Sequence, residues 1–358
     1  MRVRGILVLT GIMSISVILT GCFQGEQSLD KVDPPQDATE VNSTENADSE
    51  VTKEDAKKEG TEGEVTKETV ETQLFLLDSN GMVVPHTVEL PATKEVATQA
   101  LEYLVKGGPI TQLLPNGFQA VLPAGTEILG LDLQENGTMI VDVSNNFKEY
   151  KAEEELEVLQ AMTYTLTQFE SVDKVKLWIN GYPVNSMPVN GTPVSEGYSR
   201  ANGINMIQTD TIDYLESEPV TLYYPTEHKD TNYFVPVTQY IEMNESNEYE
   251  SIVSALIEGP QYNANVMTVF NPSVSLMEEP QLNDGVLKLV FNSDILMDKD
   301  KATIANNVVE TLVRTLTESD EVKAVDVNVM QVEQIFNESG KEYTEPVTKK
   351  MIMPAEKL

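Results

Sequence analysis

Residues able to act as nucleophiles, bases or metal ligands are scarce in this 358-residue chain, which has one cysteine and two histidines. His86 lies in VVPHTVEL and His228 in TEHKDTN, and neither stands in a serine or carboxylate pattern typical of a catalytic triad. We interpret both as ordinary strand or surface histidines. The sequence also has no HExxH motif, no Cys/His cluster and no phosphate-binding glycine loop. These absences predict a protein that is not an enzyme and that binds no cofactor, metal or small-molecule substrate.

The 58 acidic residues leave one enzymatic alternative, because glycoside hydrolysis needs only two carboxyl groups at a suitable separation. Glu153–Glu155 and Asp298–Asp300 precede predicted helices, where negative charge is stabilised by the helix dipole. We therefore expect these carboxylates to cap helices rather than to catalyse. A calcium site at 145–146 or 292–294 is a weaker alternative, since neither stretch has EF-hand spacing.

The single cysteine, Cys22, ends a segment with the architecture of a secretory signal. Met1–Arg4 is short and basic, and residues 5–20, GILVLTGIMSISVILT, are apolar or small. Leu19–Cys22 resembles a bacterial lipobox, in which the cysteine receives a diacylglyceryl group and cleavage occurs just before it. This resemblance predicts a signal peptide over 1–21 and a membrane anchor at Cys22. The alternative is a plain signal peptide with a chance cysteine.

The charge of the chain excludes several classes of partner. The formal net charge is −34, and it becomes −36 without residues 1–21, which hold two arginines and no acidic residue. Such a surface repels phosphate, so we expect no nucleic-acid binding. The segment 22–72 is rich in acidic residues and nearly free of aromatic ones, which predicts a disordered leash between the anchor and the folded part.

An internal repeat organises the rest of the chain. Four pairs of segments match in the same order at a nearly constant offset of 148 to 151 residues. The pairs are VVPHTVEL (83–90) with FVPVTQYI (234–241), ALEYLVKGGP (100–109) with SIVSALIEGP (251–260), LQENGTMIVDVSNNF (133–147) with LNDGVLKLVFNSDIL (282–296), and SVDKVKLWIN (171–180) with EVKAVDVNVM (321–330). A period this long indicates tandem domains. We assign a first domain to 73–181, a linker to 182–219, a second domain to 220–336 and a C-terminal tail to 337–358.

Each unit has the same predicted elements. After a short opening hairpin, the pattern predicts a helix, a β-hairpin, a longer helix and a last strand, an α-β-β-α-β core. The hairpin turns are Asn136-Gly137 and Asp284-Gly285, and both suit a type I′ turn. The residues predicted to face inward from the longer helix of the first unit are Leu156, Leu159, Met162, Leu166 and Phe169. Both helices of a unit should therefore lie on one face of a small mixed sheet, in the α/β (α+β) class.

The order and duplication of these elements resemble the GerM family of sporulation and germination lipoproteins, with two tandem GerMN domains. The segments that carry the resemblance are VLPAGT (121–126), NGTMIVDVS (136–144) and VDKVKLWING (172–181), and the second unit departs with FNPSVS and FNSD. The resemblance implies a fold like the ring-building motif. It also implies a role in endospore formation and germination, within the envelope-spanning complex between mother cell and forespore. Its partners would be other sporulation envelope proteins, and its location would be the outer forespore membrane, facing the intermembrane space.

One aromatic residue stands out as a candidate partner contact. In KVKLWIN, strand alternation places Val175, Leu177 and Ile179 toward the helices, so Trp178 falls on the opposite face with Lys176. A tryptophan on an open face favours an interface. The alternative is a tryptophan covered by the linker or the other unit.

Two other functions stay open. A wall-binding or wall-remodelling protein would suit the predicted location, although the sequence shows no aromatic sugar platform and no catalytic set. A solute-binding lipoprotein usually has doubly wound lobes formed by chain crossover, which two self-contained repeats do not favour. A deep cleft between the units would support it.

Overall fold

The computed structural model describes residues 69–112, 114, 117–206, 217–229, 231–244, 247–260 and 265–352. The predicted signal peptide, Cys22 and the predicted leash as far as residue 68 lie outside these residues. Residues 69–72, which the sequence also assigns to the leash, instead begin the first β-strand, so the predicted boundary at 72 is wrong. Among the helices in this part of the chain, none is both long and apolar enough to cross a bilayer.

The described residues of the first unit form seven strands and two α-helices. In chain order these are β1 (Thr69–Leu77), β2 (Val83–Pro91), α1 (Val96–Tyr103), β3 (Ile128–Leu133), β4 (Thr138–Val143), α2 (Glu155–Leu166), β5 (Lys174–Ile179), β6 (Tyr182–Pro183) and β7 (Tyr198–Ser199). Short 3₁₀ turns join some of them, at Pro109–Gln112, Asn145–Lys148, Ala152–Glu154 and Arg200–Asn202.

The second unit follows a similar order, but it inserts one small hairpin before its long helix, shows no counterpart of β6 among its described residues and ends with a short helix. Its elements are β8 (Ser217–His228), β9 (Thr231–Glu242), α3 (Glu248–Glu258), β10 (Gln281–Asn283), β11 (Val286–Phe291), β12 (Leu296–Asp298), β13 (Thr303–Ile304), α4 (Asn306–Leu316), β14 (Ala324–Val329), β15 (Val347–Thr348) and α5 (Lys349–Ile352). The inserted hairpin is β12–β13, and a 3₁₀ turn, Ser293–Ile295, precedes it.

Each unit contains a small mixed sheet, as the sequence predicts. The strand order is β3-β4-β5-β6 in the first unit, with β7 also pairing to β5, and β10-β11-β14-β15 in the second. The central pairs β4–β5 and β11–β14 are parallel, while the outer pairs are antiparallel. The opening hairpins β1–β2 and β8–β9 form separate two-stranded sheets. The predicted fold class is therefore confirmed.

The two sheet hairpins close with different turns. Asp284 and Gly285 both have positive φ angles, 49° and 79°, which agrees with the predicted type I′ turn of the second unit. In the first unit only Gly137 has positive φ, and its N–H donates to the Gln134 carbonyl at 3.1 Å. The prediction of a type I′ turn at Asn136-Gly137 is thus wrong. The loop of the first unit is one residue longer than a two-residue type I′ turn, and in this longer loop only the glycine adopts the left-handed conformation.

The long helix α2 is buried on two sides. It packs on the sheet through β5 and also contacts β1 and β2 of the opening hairpin. All nine residues from Val158 to Leu166 are buried. The sequence predicts one buried apolar stripe on this helix, whereas the structure buries all of its faces along this segment. The helix lies in a middle layer, and the hairpin covers the side that a two-layer fold would leave in water.

One inward position of α2 was mispredicted. Leu159, Met162 and Leu166 are buried as expected, but Leu156 is 46% exposed. Glu155 takes the inward place in the first turn and is completely buried. A charged residue can occupy that place because neighbouring backbone N–H groups satisfy its carboxylate.

The same side-chain to backbone hydrogen bond holds each opening hairpin to its helix. The Phe75 N–H donates to Thr165 Oγ1 at 3.0 Å, and the Tyr223 N–H donates to Thr315 Oγ1 at 3.0 Å. Both bonds are buried, and the residues correspond at offsets of 148 and 150. A threonine hydroxyl can thus satisfy a strand N–H that has no neighbouring strand to bond.

Each sheet also takes a strand from beyond the predicted domain. β7 pairs with β5 through Val175 and Tyr198, and β15 pairs with β14 through Val325 and Val347. These strands correspond at an offset of 149 and lie in the intervals assigned to the linker and the tail. The repeat therefore extends past Ile179 and Val329 in the structure, and residues 207–216 and 353–358 lie outside its description.

We predict that Thr165→Val will lower the free energy of unfolding by about 1–3 kcal/mol, because it leaves the buried Phe75 N–H without an acceptor. Urea titration followed by circular dichroism measures the change. Thr165→Ser keeps the hydroxyl and is the matched control, with a smaller loss expected. An equal loss in both variants would show that packing of the methyl group matters more than the bond.

Candidate functional site

The predicted partner contact lies on the face of the sheet that α1 and α2 leave uncovered. Along β5, Val175, Leu177 and Ile179 are buried, while Lys176 and Trp178 are partly exposed. The strand phase read from the sequence is thus confirmed. Trp178 pairs in register with Asp142 on β4 and with Pro183 on β6. The indole is only partly exposed, and its role as a partner contact stays a prediction.

The equivalent face of the second unit has different chemistry. On β14 the partly exposed positions are Asp326 and Asn328, between the buried residues Val325, Val327 and Val329. The aromatic and basic character of the first unit is replaced by acidic and amide groups. The two units therefore present like-shaped surfaces with unlike charge.

The two histidines occupy separate structural places. His86 is buried in β2, with its ring centroid 5.5 Å from that of Phe118. His228 ends β8, and its Nδ1 lies 2.9 Å from the Ser79 hydroxyl of the first unit. In the residues that the structure describes, no three His, Cys, Asp or Glu side chains are grouped to hold a metal.

The carboxylates at the start of α2 serve a purpose that the sequence did not reveal. The buried Glu155 carboxylate accepts hydrogen bonds from the Val189, Asn190 and Thr192 backbone N–H groups, the Thr192 hydroxyl and the Tyr150 hydroxyl, at 2.6 to 3.1 Å. Burial by itself would raise the pKa of Glu155, but these hydrogen bonds hold it below its usual value. Glu155 therefore fixes the loop at 189–192 onto the first unit.

The other capping predictions also need correction. Glu154 precedes α2 but makes no capping hydrogen bond, and it pairs with Lys106 at 3.1 Å and Lys151 at 3.4 Å. Asp298 accepts from the Asp300 and Lys301 N–H groups at 3.1 Å, which caps the turn between β12 and β13 rather than a helix.

Two residues of the weak calcium alternative in the second unit are engaged in local contacts. The Asn292 amide donates to the Ser273 carbonyl and the Ser275 hydroxyl, and Asp294 pairs with Lys299 at 2.6 Å. These groups are engaged in local structure, so they offer no cation site.

The two units meet through their opening hairpins, where β2 contacts β9. Asn205 lies between them: its Oδ1 accepts from the Val83 N–H, and its Nδ2 donates to the Val83 and Pro236 carbonyls at 2.7 Å. At the turn of the first hairpin, the Tyr233 hydroxyl donates to Asp78 Oδ2 at 2.8 Å. Equivalent strands of the repeat therefore face each other, and one asparagine satisfies backbone groups of both.

A charged cluster locks the same junction. Arg200 of the first unit pairs with Glu318 of the second at 2.7 Å, and the guanidinium also stacks on the Tyr164 ring, 4.7 Å from its centroid. Glu318 further accepts from the Tyr223 hydroxyl at 2.9 Å and pairs with Lys349 at 3.4 Å. Arg200 and Lys349 stand at equivalent positions, directly after β7 and β15, so both repeats direct a cation to one carboxylate.

The cluster changes the ionisation of its members. Burial would raise the pKa of Glu318, but the positive charges of Arg200 and Lys349 and the Tyr223 hydroxyl bond keep it below its usual value. Burial and the Glu318 carboxylate raise the pKa of Tyr223 well above the usual value. The carboxylate is therefore ionised and the phenol neutral throughout the physiological range.

A cleft of about 640 Å³ opens beside this cluster, between the units. Its lining mixes Arg200, Lys323 and Lys350 with Glu170 and Asp320. A cleft is what the solute-binding alternative requires, but the charges at its base already pair with each other. The arrangement fits a structural junction better than a ligand site.

Comparisons with known proteins agree with this architecture. A family described as "Germane: Sporulation and spore germination" matches residues 73–185 and 221–331. The chain is 41% identical over 345 residues to the spore germination protein GerM of Bacillus subtilis (strain 168), covering 94% of each. It is also similar to the solved tandem GerMN domains of the sporulation protein GerM from Bacillus subtilis, with a TM-score of 0.72 and 43% identity. That similarity covers 78% of this chain and 96% of the other.

We predict that Glu318→Gln will lower the free energy of unfolding at pH 7 by about 2 kcal/mol, because it leaves Arg200 without its counter-charge. The folded-state pKa of Glu318 lies below the unfolded value of about 4.5, so the ion pair stabilises the protein above that pH. The contribution is lost as the pH falls through the folded pKa. The difference between wild type and variant should therefore shrink below about pH 4.5.

Glu278→Gln is the matched control, because Glu278 pairs with Lys288 at 3.6 Å on the surface, where both side chains are nearly half exposed. Removing that pair should change the unfolding free energy by less than about 0.5 kcal/mol. Denaturant titration at several pH values gives both numbers. A Glu318→Gln effect as small as that of the control would contradict a locked junction.

Proposed function

The chain belongs to the Germane family of sporulation and spore germination proteins, and from this membership we propose that it is a lipid-anchored assembly protein that works outside the cytoplasm. It would form part of the envelope-spanning complex between mother cell and forespore, or localise that complex. Its site of action would be the outer forespore membrane, on the side that faces the intermembrane space. Its partners would be other sporulation envelope proteins.

The anchor is supported by the sequence at Leu19–Cys22, which follows an apolar stretch and a basic start. Because this is the only cysteine, acylation would consume the single thiol of the chain. Two acyl chains give stable membrane attachment, where one chain gives only marginal binding. Such an anchor is needed because an acidic protein is repelled by anionic headgroups.

The observation that carries the assembly role is the open sheet face of the first unit. Trp178 and Lys176 share that face, and in the second unit the equivalent residues are Asp326 and Asn328. Partly exposed tryptophan beside a basic residue is typical of interface anchors, whereas the polar face of the second unit is not. We infer that the first unit makes the main partner contact and that the second unit positions it through the locked junction.

The alternative of a cell-wall protein that binds or remodels peptidoglycan rests on a different surface. The described residues include no grouped catalytic set around His86 or His228, which gives remodelling no support. Binding has a separate observation in its favour, a pocket beside the exposed Tyr182.

We predict that Cys22→Ala will abolish acylation and will either move the protein from membrane to soluble fractions or leave it uncleaved. The thiol is the acyl acceptor in the proposed anchor, so no other residue can replace it. Fractionation and intact-mass spectrometry of the mature protein report both outcomes. A mature protein whose Cys22 carries no lipid would rule out the anchor.

We also predict that Trp178→Ala will weaken partner capture more than tenfold, as expected for an anchor residue worth about 2 kcal/mol or more. Affinity capture from sporulating cells is the measurement, and circular dichroism and melting must stay near wild type.

Lys176→Glu provides a second test that removes no buried contact, because it reverses a charge on a partly exposed side chain. It should also weaken capture, while Asp326→Ala in the second unit should have little effect. If Trp178→Ala and Lys176→Glu both fold and capture partners normally, the interface lies elsewhere. If Trp178→Ala alone unfolds the unit, the indole is part of the core.

A further inference from the structure

A pocket of about 430 Å³ lies at the carboxyl ends of β4 and β5 in the first unit. Its wall includes Asn145, Lys148, Asn180, Tyr182 and Pro188. The size is within the range of ligand pockets, and the carboxyl ends of parallel strands are where open α/β sheets bind ligands.

The polar groups around this pocket are not used by the fold. Asn145, Lys148 and Asn180 are exposed to solvent, and their side-chain amides and ammonium make no hydrogen bond or ion pair with other described residues. Tyr182 is 75% exposed, more than any other large hydrophobic side chain in the described part of the chain. An aromatic surface, two amides and one cation therefore face one cavity with their binding capacity available.

The pocket wall is held in place by the first unit. Tyr182 pairs with Ile179 across the tight turn at Asn180-Gly181, where both residues have positive φ. On the other side, Glu155 binds the backbone at 189–192, directly after Pro188. The wall is thus preorganised by a hairpin and by a buried carboxylate.

The second unit serves as an internal comparison, because its equivalent positions lack these groups. The residues that correspond to Asn145, Lys148, Asn180 and Tyr182 are Ser293, Leu296, Met330 and Val332. Leu296 is buried, and the set contains no aromatic ring, amide or cation. The pocket chemistry is therefore a property of the first unit and not a consequence of the shared fold.

These groups select one class of ligand. A densely charged ligand such as a nucleic acid is excluded by the formal net charge of −34, but the one lysine at the pocket can pair with a single carboxylate. A lipid tail or an apolar helix would need a deeper apolar wall than Val184 and two prolines provide. A sugar ring can stack on the Tyr182 face, its hydroxyl and acetamido groups can bond to the asparagine amides, and a carboxylate substituent can pair with Lys148.

We propose that this pocket binds an N-acetylated glycan that bears a free carboxylate, as in peptidoglycan glycan strands whose lactyl groups carry no peptide. The site is separate from the partner contact proposed at Trp178, although Pro183, which lines the pocket, is the cross-strand neighbour of that residue. Because the two sites adjoin, glycan binding and protein capture are measured separately, each with its own variants.

The test uses the purified protein and two soluble probes, measured by calorimetry or by NMR titration. One probe is a tetrasaccharide of N-acetylglucosamine and N-acetylmuramic acid with free lactyl carboxylates, and the other is the neutral N-acetylglucosamine tetramer. Wild type should bind the carboxylated probe several-fold more tightly, because only that probe can pair with Lys148.

Variants assign the binding to named groups. Tyr182→Ala should lower the affinity for both probes roughly five- to tenfold, because ring stacking is lost. Tyr182→Phe keeps the ring and should bind both probes like wild type. Lys148→Ala should remove only the preference for the carboxylated probe. Met330→Ala, at the equivalent place in the second unit, is the control and should change neither affinity.

Two results would overturn the proposal. The first is no binding of either probe by wild type, and the second is binding that Tyr182→Ala leaves unchanged. If Tyr182→Ala instead reduces partner capture while wild type binds no glycan, the pocket is a protein contact, and the assembly role at Trp178 still stands on its own test.

Discussion

The structure depends on the burial of one long helix per unit on two sides. The long helix of each unit has buried residues on more than one face. A second layer must therefore shield from solvent the face that does not pack on the sheet. The opening hairpins β1–β2 and β8–β9 supply it. Thr165 and Thr315 make this possible, because each hydroxyl accepts a strand N–H that would otherwise be buried without a partner.

The covering hairpins then determine how the units join. Because the hairpins lie outside the sheets, their strands β2 and β9 can meet, and Asn205 bonds to the backbone of both. Arg200 crosses the junction to Glu318, with side chains 31% and 17% exposed. The net stabilisation from a partly buried ion pair is small, because both charges lose hydration. The pair still fixes how the two units are arranged, since any other arrangement would leave a charge unpaired. The tandem therefore presents its open faces in a fixed relation.

Duplication has left the two units alike in backbone and unlike in surface chemistry. Trp178 and Lys176 stand where the second unit has Asn328 and Asp326, and Tyr182 stands where it has Val332. Packing constraints act on inward residues such as Val175 and leave outward ones free to change. The difference allows one unit to bind while the other orients it.

The sequence by itself determined the repeat, the order of elements and the inward phase of β5, because hydrophobic periodicity and turn residues are local signals. The family and fold class followed from the same segments. Only the tertiary structure decided that Glu155, not Leu156, faces inward, that β7 and β15 join the sheets, and that Arg200 meets Glu318. It alone also placed the exposed Tyr182 beside unused amides. Such contacts join residues far apart in the chain. The partner of a carboxylate and the exposure of an aromatic ring depend on the folded structure, so no periodic pattern in the sequence predicts them.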